Sequence, residues 1–206
     1  MLLGIAAIVI GYLLGSTPTA YIVTRIIKGI DIRDVDNGNM GGGAVIRQVG
    51  KRAGAFVIIV DVAKGAGAVL IAQYLGLSQP WVLGAGFCSL LGHNFPLYVR
   101  FRGGNGVATI MGIFFVLTPV AMGFWLLIIG LVLLFYRHLF SSVAITALFL
   151  PLLIWFVDHN LTLIFYALAI IIFVVYRSRR RLVEVKVRTN MVANDIKAVT
   201  EKDKEN

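Results

Sequence analysis

Five long apolar runs constrain this chain more than any other feature. Residues 1–24, 53–75, 80–98, 107–135 and 141–176 hold few charges or none, and a run of roughly 18 or more such residues marks a helix able to cross a bilayer. No water satisfies a backbone amide in hydrocarbon, so each run must be helical. Composition closes off the alternatives. Of the 206 residues 59% are hydrophobic and 14% charged, with a mean hydropathy of +0.88, whereas a soluble domain is about half apolar and about a quarter charged. Too little polar material remains to coat a globule, which excludes soluble, disordered and collagen-like chains. The fold class expected is an all-α polytopic membrane protein.

Two of the runs are too long for one crossing. Stretch 141–176 is interrupted by Asp158-His159-Asn160, which reads as a tight polar hairpin and divides it into 141–157 and 161–176. In 107–135 the charges decide. Lys and Arg gather on cytoplasmic flanks. Segment 25–52 holds six of them (Arg25, Lys28, Arg33, Arg47, Lys51, Arg52), 99–106 holds Arg100 and Arg102, 136–140 holds Arg137, and 177–206 holds nine, while 76–79 and 158–160 hold none. One helix over 107–135 would put the nine-charge end opposite segment 25–52. A break at Thr118-Pro119 places all of these basic segments on one face, and proline inside a helix costs about 3 kcal/mol. The expectation is therefore about seven transmembrane helices, some short, with the N-terminus outside and the C-terminus cytoplasmic. Helix 107–117 is then about 16 Å long at ~1.5 Å per residue. That falls short of a core of about 30 Å, so it either tilts in a thinned membrane or starts below the surface.

The one cysteine, Cys88, admits no intramolecular disulfide and no zinc framework, and it reads as a buried small hydrophobe. No Lys or Arg precedes Arg25, so the basic start of a cleavable signal peptide is missing and the first helix is expected to be retained.

Two glycine clusters on the basic face carry the chemistry. The first runs Asp36-Asn37-Gly38-Asn39-Met40-Gly41-Gly42-Gly43-Ala44-Val45-Ile46-Arg47. Its glycines let backbone N–H groups converge on an anion, and Arg47 offers a fork suited to phosphate; the pattern alone reads equally well as a flexible loop with a positive-inside arginine. The second is Gly92-His93-Asn94-Phe95-Pro96 followed by Phe101-Arg102-Gly103-Gly104-Asn105-Gly106-Val107-Ala108-Thr109. Here Gly-Gly-x-Gly leads into a helix whose positive end would face a bound anion, although it is neither a Walker motif nor a Rossmann fingerprint. His93 reads either as a proton carrier or anion donor or as a capped structural histidine. Asp61 and Lys64 lie inside an apolar run and share a helix face; ionisable groups in a membrane are functional by default, and an i,i+3 pair that neutralises itself is the structural alternative. No Ser-His-Asp set, HExxH pair or paired-carboxylate site is present, so covalent catalysis and metal hydrolysis have no residues to perform them.

Together with Gly11-Tyr12-Leu13-Leu14-Gly15-Ser16 and Pro18, Gly50-Lys51-Arg52-Ala53-Gly54, Asp61 with Lys64-Gly65, and Ser141-Ser142, these clusters resemble the bacterial membrane glycerol-3-phosphate acyltransferases that use acyl phosphate, the PlsY family. The resemblance covers nearly the whole chain. It implies a seven-helix, N-outside fold and an enzyme that transfers an acyl group from acyl phosphate to the 1-hydroxyl of glycerol 3-phosphate, giving lysophosphatidate and phosphate. It also implies a multi-pass protein of the bacterial inner membrane with a cytoplasmic active face. The site residues so implied are Asn37, Asn39 and Arg47 as catalytic, and Gly38, Gly41, His93, Arg102, Gly103, Gly104, Asn105, Gly106, Ser141, Ser142 and Arg181 as substrate- and phosphate-binding. Residues 1–181 would form a single integral membrane domain, and 182–206, rich in Lys and Glu, a polar cytoplasmic tail.

The chain departs from the family pattern at several positions. The usual Gly-Ser before Gly38 is Asp36-Asn37, the later Asn of that motif is Ala44, the second lysine of Phe-Lys-Gly-Gly-Lys-Gly is Asn105, and the usual Arg-His-x-x-Asn-Ile is Arg177-Ser178-Arg179-Arg180-Arg181-Leu182. Acyl phosphate is already activated, so positioning the hydroxyl and stabilising the oxyanion suffice without an enzyme nucleophile, a cofactor or a metal. The partners expected are acyl phosphate, glycerol 3-phosphate and membrane lipids, with no nucleic acid and the oligomeric state left open. Two other readings stay open: a catalytically impaired paralogue that binds or regulates, and a lipid or anion transporter on the same scaffold. The transporter would carry an inverted repeat, and no internal repeat is visible.

Overall fold

A computed structural model describes residues 1–35, 38–136 and 139–179. Among them all regular structure is helical. In chain order the helices are α1 (Leu2–Ser16), α2 (Thr19–Lys28), α3 (Gly42–Gln48), α4 (Lys51–Tyr74), α5 (Gln79–Asn94), α6 (Val107–Leu117), α7 (Pro119–Tyr136), α8 (Leu139–Thr146) and α9 (Phe149–Val157), followed by α10 (Leu161–Arg179). Four helical stretches, Leu2–Lys28, Lys51–Tyr74, Gln79–Val99 and Leu161–Arg179, are each long and apolar enough to cross a membrane, and shorter apolar helices cover Val107–Leu117 and Pro119–Phe135. With α8 and α9 taken as one broken segment, helical structure lies at each of the seven expected places. The chain divides into two compact units, Met1–Ile171 and Ile172–Asn206; of the second, only the end of α10 is described.

The break expected at Thr118-Pro119 is where α6 ends and α7 begins. Two further breaks divide runs read from sequence as continuous helices, and proline explains both. Pro18 has no N–H to continue the ladder, so Thr17 N–H closes α1 early on the Leu14 carbonyl at 3.2 Å and the helix resumes only at Thr19. Pro151 crowds the carbonyl four residues before it, and α8 stops at Thr146, with α9 starting at Phe149. The Thr146 carbonyl, freed by that stop, accepts the Trp125 indole N–H at 2.8 Å. The polar hairpin forms as expected: His159 takes a left-handed φ of 49°, and the Asn160 side chain accepts from Leu163 N–H at 3.2 Å at the start of α10.

With no hydrophobic drive between helices in lipid, close packing falls to small residues. In α1, Gly11 and Gly15 leave room for the backbone of α5 at Ala85 and Ser89, and Gly92 of α5 leaves room in return for Tyr12 and Ser16. In the same way Gly65 of α4 and Gly112 of α6 bring those two helices together. Tyr166 of α10 donates to the Leu83 carbonyl at 3.0 Å and packs on Phe114 at 5.8 Å. Cys88 is half-buried rather than buried. Beneath the first glycine cluster, Ala20, Ile32, Met40, Ala44, Val45, Val57 and Val99 form an apolar core that ties α2, α3 and α4 to the turn after α5.

Candidate active site

The first cluster is held from below and from the side. Arg33 grips the Asp31 carboxylate, its Nη2 at 2.6 Å from Oδ2, and donates through Nη1 to the Val99 carbonyl at 3.1 Å. It also lies 5.1 Å over the Tyr21 ring. The Arg33 side chain holds the Asp31 carboxyl below the usual carboxylate range. From this anchor the chain reaches Gly38, at a φ of 68°, and then α3, which starts as the Gly41 carbonyl accepts from Ala44 N–H at 3.0 Å and Val45 N–H at 3.2 Å. The Asn39 carboxamide lies over Gly41, and the Arg47 guanidinium folds back from the last turn of α3 over Gly43. Asn39, Gly41 and Arg47 are therefore gathered on one short helix and its lead-in.

The second cluster folds onto the end of α5. Gly104 N–H donates to the His93 carbonyl at 3.2 Å. Gly103 is pressed against the His93 and Asn94 carbonyls, and Gly104 against the His93 Nε2 edge and the Met40 carbonyl. A side chain at either position would collide, which accounts for the paired glycines. Gly106 turns into α6 at a φ of 81° with the Asn94 side-chain oxygen beside it. Asn94 is wholly buried, and neither of its amide atoms has a hydrogen-bond partner among the described residues.

The two clusters meet at His93. A small pocket there is walled by Thr17, Pro18, Thr19 and Ala20 at the break between α1 and α2, by Met40, by Asp61 and Lys64 of α4, by His93 and Pro96, and by Gly104. The expected i,i+3 pair forms, with Lys64 Nζ 2.8 Å from Asp61 Oδ1. It does not stand alone. Lys64 also donates to the Thr17 carbonyl at 3.2 Å, and His93 Nδ1 sits 3.7 Å from the same Asp61 oxygen. All three groups are almost wholly buried. The Thr19 hydroxyl in the pocket wall and the nearby Ser16 hydroxyl are buried without a hydrogen-bond partner among the described residues.

The other expected site residues are distributed as follows. Arg102 is exposed and Asn105 half-buried, and neither is part of the pocket wall. Ser142 is fully buried in α8, where its carbonyl accepts the Thr146 hydroxyl at 2.8 Å. Asn37, Arg181 and the Ser141 side chain lie outside the described residues. The sequence reading missed Thr17–Thr19 and the junction of His93 with the Asp61–Lys64 pair. Pro18 within the first apolar run was the available signal for the former; nothing local points to the latter, because the partners are on different helices.

Comparison with known proteins agrees with this architecture. The family model for glycerol-3-phosphate acyltransferase matches residues 5–186. Glycerol-3-phosphate acyltransferase 1 of Dehalococcoides mccartyi is 41% identical over 160 residues, covering 75% of this chain and 77% of that one. The glycerol-3-phosphate acyltransferase of Endomicrobium trichonymphae is 35% identical over 187 residues, covering 89% and 94%. Among solved structures, PlsY, described as an integral membrane glycerol 3-phosphate acyltransferase, superimposes in its glycerol 3-phosphate form with a TM-score of 0.80 at 29% identity, over 89% of this chain and 92% of that chain. Its lysophosphatidic acid form gives a TM-score of 0.77. The spans, the two glycine clusters and these matches agree: the chain belongs to the glycerol-3-phosphate acyltransferase family.

Proposed function

We propose that this protein transfers an acyl group from acyl phosphate to the 1-hydroxyl of glycerol 3-phosphate, releasing lysophosphatidate and inorganic phosphate. The observation that carries this reading is the convergence of the two glycine clusters on His93, where Met40 and Gly104 share one pocket wall. Each substrate carries a phosphate, and each cluster is glycine-rich backbone beside a basic residue, Arg47 in the first and Arg102 in the second. Arg47, Asn39 and Asn37 act on glycerol 3-phosphate, with Gly38 and Gly41 giving close backbone approach. Gly103, Gly104, Asn105 and Gly106 cradle the acyl phosphate at the start of α6, with Arg102, His93, Ser141, Ser142 and Arg181 contributing further donors. The hydroxyl oxygen bonds to the acyl carbon, the bond from that carbon to the phosphate oxygen breaks, and phosphate leaves with the electron pair and takes up the hydroxyl proton. Positioning and oxyanion stabilisation supply the rate.

Orientation follows from charge. With a net +9 and the basic segments at alternate ends of successive spans, the N-terminus lies outside, and the glycine clusters and C-terminus face the cytoplasm. This fits a multi-pass protein of the bacterial inner membrane, with residues 1–181 as its membrane domain and 182–206 as a polar tail. The decisive test supplies purified protein with acyl phosphate and glycerol 3-phosphate and measures released phosphate. Release dependent on both substrates is expected. Glycerol 3-phosphate binding without release above background would replace the enzyme by an impaired relative that binds or regulates. Arg47→Ala should abolish glycerol 3-phosphate binding; unchanged binding would return the first cluster to a plain flexible loop.

A further inference from the structure

Three ionisable side chains from two helices are buried together at the pocket, and the loops named above do not require them to be charged. A buried ion pair gains little over well-packed apolar residues of the same volume, so stability alone does not account for Asp61, Lys64 and His93. Their contacts give another account. The Lys64 ammonium reaches past Asp61 to the Thr17 carbonyl at 3.2 Å, an acceptor beside the break that Pro18 makes. His93 faces Asp61 through Nδ1 at 3.7 Å and turns its Nε2 edge to Gly104, while its carbonyl takes the Gly104 N–H at 3.2 Å. The cluster thus touches both backbone features that wall the pocket. On the far side of the break stands Thr19, 7% exposed, a residue of the pocket wall whose hydroxyl has no hydrogen-bond partner among the described residues.

We propose that Asp61 and Lys64 form a buried brace of positioning residues that, through His93, holds the broken first span against the Gly103–Gly106 loop, so that the break presents Thr19 to the reacting substrates. This rests on the acyl-transfer reading above and adds to it the first span and α4. The brace sets the distance between two halves of the site, so its loss lowers turnover more than ground-state affinity.

The test is the double variant Asp61→Leu/Lys64→Met, which removes the pair without stranding a buried charge. Its melting temperature in detergent should stay near that of the unaltered protein, while kcat for phosphate release falls at least tenfold and the KM for glycerol 3-phosphate moves less than threefold. A folded double variant with kcat within twofold of the unaltered protein overturns the brace. Should that variant fail to fold, Thr19→Val decides. Removing an unsatisfied buried hydroxyl should leave melting unchanged or raised while phosphate release falls at least fivefold, and release within twofold overturns the proposal. Unaltered protein that releases no phosphate overturns the acyl-transfer reading beneath it, whatever the variants do.

Discussion

The dipeptide Thr-Pro breaks this protein twice, at Thr17-Pro18 and at Thr118-Pro119, with different results. At Thr118-Pro119 the proline is the first residue of α7, where its missing N–H is no loss. The Thr118 carbonyl accepts the first bond of that helix from Met122 at 2.9 Å, and the Thr118 hydroxyl donates to the Asp158 carboxylate. One helix ends there and another begins. At Thr17-Pro18 the proline precedes the first residue of α2, and Leu2–Lys28 still has the length and apolarity of one span. Its Thr17 carbonyl is taken by an ammonium from α4, and residues on both sides of the break line the pocket. The lesson is that proline fixes where a helix stops, whereas the partner that answers the freed backbone decides whether the break is a turn or part of a pocket wall.

Variants at the two breaks should separate these roles. The largest effect is expected from Lys64→Ala, which strands the Asp61 carboxylate in a span; it should cost about 3–5 kcal/mol, read as loss of folded protein or a collapse of the melting temperature in detergent. A melting temperature unchanged by Lys64→Ala would mean that the pair is not coupled to the fold. Next, Pro18→Ala restores an N–H for the Leu14 carbonyl and lets the helix run on, so phosphate release should drop about tenfold while stability holds or rises. Pro119→Ala, at a helix start, should change release less than twofold, and equal losses for the two prolines would erase the contrast.

Smaller effects are expected away from the pocket. Asp158→Ala removes the acceptor for Thr118 at an exposed position, and a loss of about 1 kcal/mol with normal turnover is expected; a large loss of activity would place the second break in the site as well. The smallest effect concerns Asp31, whose pKa is lowered from an ordinary value of 3.8, chiefly by its hydrogen bond with Arg33. A depressed carboxylate stabilises the fold fully above its unfolded pKa, and that contribution is lost as pH falls through the folded value. Asp31→Asn should therefore lower stability by less than about 1 kcal/mol at neutral pH, and the difference in melting temperature should vanish below the folded pKa. A difference that persists there would show that the carboxylate's charge is not its source.

Much of the fold was legible because membrane-spanning helices announce themselves in composition. The seven spans follow from apolar runs, and the split of 107–135 follows from Pro119 together with the placement of Arg100, Arg102 and Arg137. The breaks at Pro18 and before Pro151 were missed because no charge pattern demanded them. The glycine clusters were legible as positions where backbone packs closely, since Gly103 and Gly104 leave no room for a side chain. Arg102 was read as a phosphate ligand from its neighbours; in the fold it is exposed beside the buried Gly103 and Gly104.

By itself, then, the amino-acid sequence determined a helical membrane protein and marked its basic segments and two glycine clusters, because hydrophobicity, charge and glycine content act locally or sum along the chain. Tertiary structure alone decided that Asp61 and Lys64, a self-neutralising pair on one helix, join His93 on another and the Thr17 carbonyl on a third segment. Around that junction small residues let backbones approach, Gly15 and Gly92 between α1 and α5 and Gly65 between α4 and α6.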